Sequence, residues 1–187
     1  MGMSDVSAVT ITADTVALDA DGISVATSVG NNAALVIGGA LASGGAVALS
    51  HGRIVTILSA GNDAAKSFTV VGTDVNGDAQ TESITGANAG TATGAKYFKT
   101  IASITAVGNP AGNVSAGVNA AAADVVFAGR SRLKGIYLTS TATAGTVDLL
   151  TTSPSGTSVM GLSSVGNADA TRDVVIPENG VVFSSGI

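Results

Sequence analysis

The chain has 187 residues, a net charge of −5 and no cysteine, so disulfides and cysteine-based zinc sites are excluded. Charged residues make up only 11% and aromatic residues 3% of the chain, and the acidic balance argues against a broad nucleic-acid-binding face. Because the apolar content comes mainly from Ala and Val, which bury little area each, we expect thin β layers that gain cover through contacts between subunits.

The first 21 residues are acidic and contain no Lys or Arg, so the charged start of a signal peptide is not expected. Their acidic residues are Asp5, Asp14, Asp19 and Asp21. Val6, Val9 and Ile11 lie among polar positions, a pattern compatible with one strand. We predict an N-terminal arm over residues 1–21, which is either mobile or lies on a neighbouring subunit.

A glycine-rich stretch, Gly22–Leu49, follows the arm. Its short β-like runs are Ile23–Val29, Ala34–Ile37 and Ala46–Leu49. An Ala-rich helix over Ala33–Ala42 is the alternative for the middle of the stretch, and Gly38-Gly39 counts against it. The weakly polar run Ala33–Leu49 is too short and too rich in glycine to span a membrane, so no membrane partner is expected.

The stretch Arg53–Val107 has the clearest strand pattern, with runs of Val, Ile, Thr and Phe between Gly, Asn and Asp clusters. Ser67–Thr73 and Ala79–Thr85 flank the turn Asp74–Asp78, in which Asn76-Gly77 supplies the positive φ angles of a tight hairpin. After the linker Gly86–Gly94, a further strand is predicted over Ala95–Val107. The predicted core residues are Ile54, Ile57, Phe68, Val70, Ile84, Phe98, Ile101 and Ile104.

Four motifs of this stretch occur together: SAGND (Ser59–Asp63), FTVVGTDVNG (Phe68–Gly77), TGANAGTAT (Thr85–Thr93) and KYFKTIASIT (Lys96–Thr105). In this combination they resemble a segment of tailed-bacteriophage virion structural proteins, over roughly Gly22–Gly117. The resemblance implies a structural role in the particle. It implies no activity, since the motifs are strand and turn signals.

Val114–Val118 and Val125–Phe127 are the predicted closing strands of a first β domain over residues 22–128. The Ala-rich segment Ala116–Ala123 is either a loop or one helical turn. The pattern restarts in a second β domain over residues 129–187. Its predicted strands are Leu133–Ser140, Thr146–Thr151, Thr157–Ser163, Arg172–Ile176 and Gly180–Phe183.

Two motifs of the second domain also resemble small β domains of phage structural proteins: KGIYLTSTATAGTV (Lys134–Val147) and IPENGVVFSSG (Ile176–Gly186). The fold class we predict for the whole chain is all-β. It consists of two small antiparallel β-sandwich or barrel-like units with an extended N-terminal arm.

Candidate chemistry is sparse, and we predict no catalytic, cofactor or metal site and no enzyme activity. His51 is the only histidine, lies beside Gly52 in a predicted turn and has no Gly-x-Ser-x-Gly partner motif, so an ordinary surface or edge residue is the favoured interpretation. Asp74–Asp78 departs from a calcium loop in the position of its glycine, and a hairpin turn fits better. Gly90–Lys96 lacks the adjacent Gly-Lys of a phosphate loop.

Arg130, Arg132 and Lys134 form a local basic cluster at the predicted domain junction. One interpretation is a solvated strand face. The other is a salt-bridging surface for an acidic partner, such as the acidic arm of another copy. The candidate partner contacts are therefore Arg130, Arg132, Lys134, Asp5 and Asp14.

The resemblance does not fix which part of the virion the chain belongs to. The function we predict first is that of a capsid decoration, or cement, protein that bridges subunits of the major capsid protein on the capsid exterior and is made in the cytoplasm of the host bacterium. A chain with small core residues and few charges is also expected to associate with itself, and closed rings suit threefold capsid junctions, so we expect a homotrimer. The alternatives are a tail, neck or head-fibre component and a receptor- or glycan-binding module.

Overall fold

The computed structural model describes residues 6–12, 18–141, 143–164, 170–176 and 179–187. The chain divides into two compact units, Met1–Asp124 and Val125–Ile187. The regular structure of the described residues is entirely β-strand, which confirms the predicted all-β class. The division follows Asp124, whereas the sequence pattern placed it after Ala128. The predicted sandwich or barrel-like layering of the units stays a prediction.

The first unit is one antiparallel sheet of seven strands. The strands are β1 (Asp19–Thr27), β2 (Ala42–Ser43), β3 (Ala46–Ser59), β4 (Ser67–Thr73), β5 (Ala79–Thr85), β6 (Thr91–Val107) and β7 (Val114–Ala123). They lie in the order β1-β7-β3-β6-β4-β5, with β2 paired to β3. The bounds of β4 and β5 are those the sequence predicted, whereas β6 begins at Thr91 rather than Ala95.

The β4–β5 hairpin is in unbroken register from Ser67↔Thr85 to Thr73↔Ala79. Gly77 has φ of 90°, as predicted for this turn, but Asn76 is not among the described residues with positive φ. The turn spans five residues instead of the tight two-residue form. The Asp74 carboxylate closes it by accepting hydrogen bonds from the backbone amides of Asn76 at 2.8 Å and Asp78 at 3.0 Å.

Bulges bend the sheet. The register of β3 against both β6 and β7 shifts around Arg53–Thr56, and extra residues at such shifts increase the local twist. At the sheet edge, the Glu82 carboxylate on β5 accepts hydrogen bonds from the backbone amides of Ala95 at 2.6 Å and Lys96 at 3.3 Å. Side-chain hydrogen bonds, and not a ladder, therefore hold edge strand β5 against the first half of β6.

The core lies on one face of this sheet, under the segment between β1 and β2. Its fully or nearly buried apolar residues are Ile23, Val29, Leu35, Val47, Leu49, Val55, Ile57, Phe68, Val70, Ile84, Phe98, Ile101, Ile104, Ala106, Val114, Ala116 and Val118. All predicted core residues except Ile54 are in this set. Ile54 is only half-buried because Arg53, Val55 and Ile57 occupy the buried face, and successive side chains of a strand alternate between faces.

Other predictions for the first unit were wrong. Ala116–Ala123 is neither loop nor helical turn but the body of β7, and its small residues allow β1 to approach, since a Cβ on Gly117 would lie 1.7 Å from the Asp19 carbonyl oxygen. Of Ala34–Ile37 only an isolated bridge, Ala34↔Thr105, is β structure. No helix occurs at Ala33–Ala42.

The predicted arm also differs from the structure where it is described. Residues 6–12 contain no strand, although the spacing of Val9 and Ile11 suggested one. The first strand, β1, begins at Asp19. Asp5 and Asp14 lie outside the described residues.

The second unit consists of strand pairs. Its strands are β8 (Ser131–Leu133), β9 (Gly135–Ser140), β10 (Gly145–Leu150), β11 (Ser158–Ser164), β12 (Ala170–Val175) and β13 (Val181–Phe183). They pair as β8–β13, β9–β12 and β10–β11, each pair a separate two-stranded sheet. A strand was predicted at Val125–Phe127, but these residues form none. Instead, the backbone amide of Val126 donates a hydrogen bond to the carbonyl oxygen of Ile187 at 2.9 Å.

Candidate interaction surfaces

The described part of the second unit has almost no interior. Among its described side chains and glycines, only Phe183 and Gly186 are buried. Isolated two-stranded sheets are marginally stable in water, and a layer of at least three strands or a packed partner is normally needed. Single-chain packing therefore leaves this unit with little hydrophobic stabilisation.

Two of its ladders follow each other along the chain, and we call them together the ribbon. β12 lies antiparallel on β9, and β13 lies antiparallel on β8, which precedes β9 in the sequence. Between the two ladders, Ile176 donates to the carbonyl oxygen of Lys134 at 3.2 Å. We call the strand formed by β8, Lys134 and β9 the ribbon strand, Ser131–Ser140.

One face of the ribbon exposes large apolar side chains. Along β9 the odd-numbered residues are exposed and the even-numbered ones half-buried. Tyr137 is 70% exposed, and Val175, whose ladder partner is Gly135, is 76% exposed. Because cross-strand neighbours share a face, Tyr137 and Val175 lie on the same outward surface, together with Asp173, the ladder partner of Tyr137. We call Tyr137 and Val175 the apolar ribbon patch.

The predicted basic cluster lies at the start of the ribbon strand. Arg130, Arg132 and Lys134 are all exposed, with Arg132 in β8 and Lys134 between β8 and β9. The Arg132 guanidinium donates to the carbonyl oxygen of Asn179 at 2.9 Å, which ties it to the turn that precedes β13. The structure thus places the three basic residues together, while their proposed acidic counterparts, Asp5 and Asp14, lie outside the described residues.

His51 is not the turn residue that its neighbour Gly52 suggested. It lies inside β3, its side chain is 12% exposed, and its Nδ1 is hydrogen-bonded to the Asp124 carboxylate. The Lys99 ammonium lies 3.5 Å from the other oxygen of Asp124. His51 and Lys99 thus both contact Asp124, the last residue of the first unit. Seventy-three sequence positions separate His51 from Asp124, so no local pattern could have revealed the pair.

Arg53 is a second polar residue that sequence reasoning missed. It is buried on the core face of β3, and its guanidinium donates to the carbonyl oxygen of Ala120 at 2.7 Å. Ala120 lies where the register of β7 shifts, so the arginine satisfies an acceptor that the ladder does not. This contact explains why a charged residue occupies a position that alternation assigns to the core.

The motifs that carry the resemblance build the loops of the first unit. The SAGND turn meets the TGANAGTAT loop through hydrogen bonds from Asp63 N to Ala87 O at 2.9 Å and from Ala89 N to Gly61 O at 2.8 Å. Buried Asp63 also accepts from the backbone amide of Ala111 at 2.7 Å, which fixes the loop that precedes β7. The motif residues are accordingly structural in the first unit.

Two observations on the described residues bear on metal and small-molecule binding. The described residues contain no group of three or more His, Asp or Glu side chains close enough to hold a metal ion. A shallow groove of about 280 Å³ between β2, β3 and β6 is lined by uncharged residues, among them Leu41, Val47 and Ile101. It is slightly smaller than the roughly 300–1,000 Å³ of typical small-molecule sites.

Within the part of the chain that the structure describes, no helix is long and apolar enough to cross a membrane. Comparison with family models, curated proteins and solved structures finds no match to this chain.

Proposed function

We propose that this chain is a structural protein of a bacteriophage particle, and that it acts as a capsid decoration protein. The observation that carries the proposal is the second unit, whose described residues bury only Phe183 and Gly186 while Tyr137 and Val175 stay exposed. A unit of this kind gains hydrophobic burial when another protein surface covers it. An assembly supplies such a surface permanently.

The mechanism we propose is mechanical. Copies bind across junctions between subunits of the major capsid protein, on the outside of the head, and bury apolar surface there. Opening the shell then requires these contacts to break as well, so bound copies stabilise the closed head by mass action. The motif resemblance of Gly22–Gly117 and the low share of charged residues, 11%, support a partner of this class.

We further propose that the decorating species is a homotrimer. Threefold and quasi-threefold junctions of a capsid match a closed ring of three copies. Self-association is also consistent with the many small side chains of the chain and with the two-stranded sheets that the described strands of its second unit form.

Imaging of labelled particles tests this function. An antibody against the chain, used on purified particles from infected cells, is expected to decorate the head in a regular array. Heads stripped of the protein should rebind it and then withstand higher temperature than bare heads. Labelling confined to the tail, neck or a head fibre would move the assignment to that part of the particle, and unlabelled particles would overturn the virion assignment.

A receptor- or glycan-binding module is the second candidate, and exposed Tyr137 is the observation that favours it. Aromatic side chains with one exposed face suit stacking on sugars and partner surfaces. Binding of the purified protein to host cells or to a glycan array, lost in Tyr137→Ala, would support this candidate. Head binding without cell binding would support decoration.

A further inference from the structure

The sequence contains two Asn-Gly steps, Asn76-Gly77 in the β4–β5 turn and Asn179-Gly180 before β13. An asparagine followed by glycine is especially prone to lose its side-chain amide spontaneously, because glycine has no Cβ to shield its backbone nitrogen or restrict its backbone. The two steps are chemically alike, so their surroundings in the fold decide which of them reacts.

The reaction requires a movement of the backbone. The glycine nitrogen gives up its proton and attacks Cγ of the asparagine side chain, so that a Cγ–N bond forms, the Cγ–Nδ2 bond breaks and Nδ2 leaves as ammonia with a proton replacing the one lost. Water then adds to either carbonyl carbon of the cyclic imide and opens it, which gives aspartate or isoaspartate. The peptide group between the two residues must therefore turn toward Cγ.

The Asn76-Gly77 peptide lies in open surroundings. Both residues are exposed, and a Cβ on Gly77 would meet no atom within 4 Å. The Gly77 amide donates to the Asp74 carbonyl oxygen at 3.1 Å, and this bond has to break. Because a hydrogen bond between neutral, exposed groups contributes little net stability, this peptide group can turn readily.

The Asn179-Gly180 peptide is held from two sides. Its carbonyl oxygen accepts a hydrogen bond from the Arg132 guanidinium at 2.9 Å, and a charged donor makes the stronger kind of hydrogen bond. A Cβ on Gly180 would come 2.3 Å from the carbonyl oxygen of Leu133, so this glycine packs against the backbone of β8. Turning the peptide group would break the bond to Arg132, and the Leu133 backbone limits the movement of Gly180.

We propose that Asn76 is a site of spontaneous deamidation in the folded protein and that the fold protects Asn179. The only co-reactant is water. The inference therefore goes beyond the proposed role in the particle and does not rest on it. Its product is a mixture of aspartate and isoaspartate at position 76 that accumulates as the protein ages.

Deamidation changes the turn that closes the β4–β5 hairpin. The Asn76 side-chain nitrogen donates to the Asp74 carboxylate at 3.4 Å, and the reaction replaces this donor by a carboxylate in a turn that already contains Asp74 and Asp78. Like charges at this spacing repel each other. Isoaspartate also adds a methylene group to the main chain, so we expect the aged turn to open more often.

Peptide mapping by mass spectrometry tests the proposal on the full chain during incubation at neutral to mildly alkaline pH. Cleavage after Lys66, Lys96 and Arg172 places the two sites on different peptides. We expect Asn76 to deamidate at least about tenfold faster than Asn179 in the folded protein. In a denaturant that unfolds the chain, the two rates should become similar, because neither peptide group is then held.

Three results would overturn the proposal: equal rates at Asn76 and Asn179 in the folded protein, a faster rate at Asn179, or no loss at Asn76 while the unfolded chain deamidates. Arg132→Ala tests the protection separately, and it should raise the Asn179 rate several-fold and leave Asn76 unchanged. Arg130→Ala, an exposed arginine of the same basic cluster, is the matched control and should change neither rate. An unchanged Asn179 rate in Arg132→Ala would overturn the protection by Arg132.

A second pair of variants measures the effect on the turn. Asn76→Asp reproduces one product, whereas Asn76→Gln keeps an amide and forms the larger cyclic imide far more slowly. We expect backbone amides of β4 and β5 to exchange with solvent faster in Asn76→Asp than in Asn76→Gln, because exchange reports local opening. Equal exchange in the two variants would contradict the proposed effect on the turn.

Discussion

At the scale of single residues, two buried charged side chains connect segments that are far apart in sequence. Arg53 on β3 reaches the irregular part of β7, and Asp63 in the SAGND turn holds the loop at Ala111. Each group replaces a missing backbone partner, since a buried N–H or C=O without a hydrogen bond is costly. These residues therefore determine where strands and loops meet in a unit whose apolar side chains are mostly small.

Replacing Arg53 tests this role. We expect Arg53→Ala to lower the free energy of unfolding by about 2–4 kcal/mol, because it leaves buried carbonyls unsatisfied and creates a cavity. Arg53→Lys should lower the free energy of unfolding by less, since the lysine ammonium can still donate a hydrogen bond to a buried carbonyl oxygen. Lys96→Ala, which removes an exposed cation bound to the carbonyl oxygen of Thr81, is the control and should cost less than about 1 kcal/mol. Chemical denaturation measures all three, and equal effects of Arg53→Ala and Lys96→Ala would contradict the role.

Gly77 makes a second residue-scale prediction. Its φ of 90° suits glycine, and a Cβ there would meet no atom within 4 Å, so a substitution is penalised by backbone conformation and not by a clash. Gly77→Val should therefore destabilise the hairpin by about 1–2 kcal/mol and reduce incorporation into particles. Asn76→Val is the control, because Asn76 is adjacent but does not have a positive φ. It should destabilise the hairpin less than Gly77→Val does. Unchanged melting temperature of Gly77→Val would contradict the turn described here.

At the scale of strands, the backbones of β4 and β6 approach each other closely at one glycine. Gly72 lies in β4 where the register against β6 shifts, and a Cβ on it would come 1.9 Å from the carbonyl oxygen of Thr100. A side chain at this position would therefore force β4 and β6 apart. The small residues of this chain thus allow strands to bulge past each other where larger side chains would hold them apart.

Gly72→Ala should accordingly destabilise the first unit by more than about 2 kcal/mol, through strain between β4 and β6. Gly30→Ala is the matched change, since a Cβ on Gly30 meets nothing within 4 Å and its φ is not positive. It should be neutral or slightly stabilising. The measurement is the melting temperature of the two variants. Equal melting temperatures for Gly72→Ala and Gly30→Ala would disprove the close approach of β4 and β6.

The strand pattern was readable where local signals were strong. Ser67–Thr85 contains alternating apolar residues around a turn with Gly77, and its strands were predicted with the observed bounds. Ala116–Ala123 was misread because Ala has no strand preference of its own, and the segment is a strand only through pairing with β3 and β1. Ile54 was misread because the face of β3 depends on Arg53, whose partner at Ala120 is remote in sequence.

The interaction surfaces show the same limit. The basic cluster was visible as Arg130, Arg132 and Lys134, but the exposure of Tyr137 and Val175 depends on which strands pair. A period-two pattern indicates that one face is buried, and it does not indicate whether the burial occurs within one chain or between copies. The sequence therefore predicted strands in the second unit without showing how little they bury.

At the scale of the whole molecule, the two units differ in self-sufficiency. The first has a continuous core beneath a seven-stranded sheet. The second has two-stranded sheets, a buried Phe183 and an exposed apolar ribbon patch in its described part. We therefore expect the first unit to form a stable body in one chain and the second to reach full stability when copies associate.

Sedimentation of the purified full-length protein over a wide range of concentration tests this central claim most directly. Our account predicts a concentration-dependent transition to a trimer, with Tyr137→Asp shifting the transition to higher concentration because it places a charge in the apolar ribbon patch. A protein that remains strictly monomeric at high concentration would contradict the account.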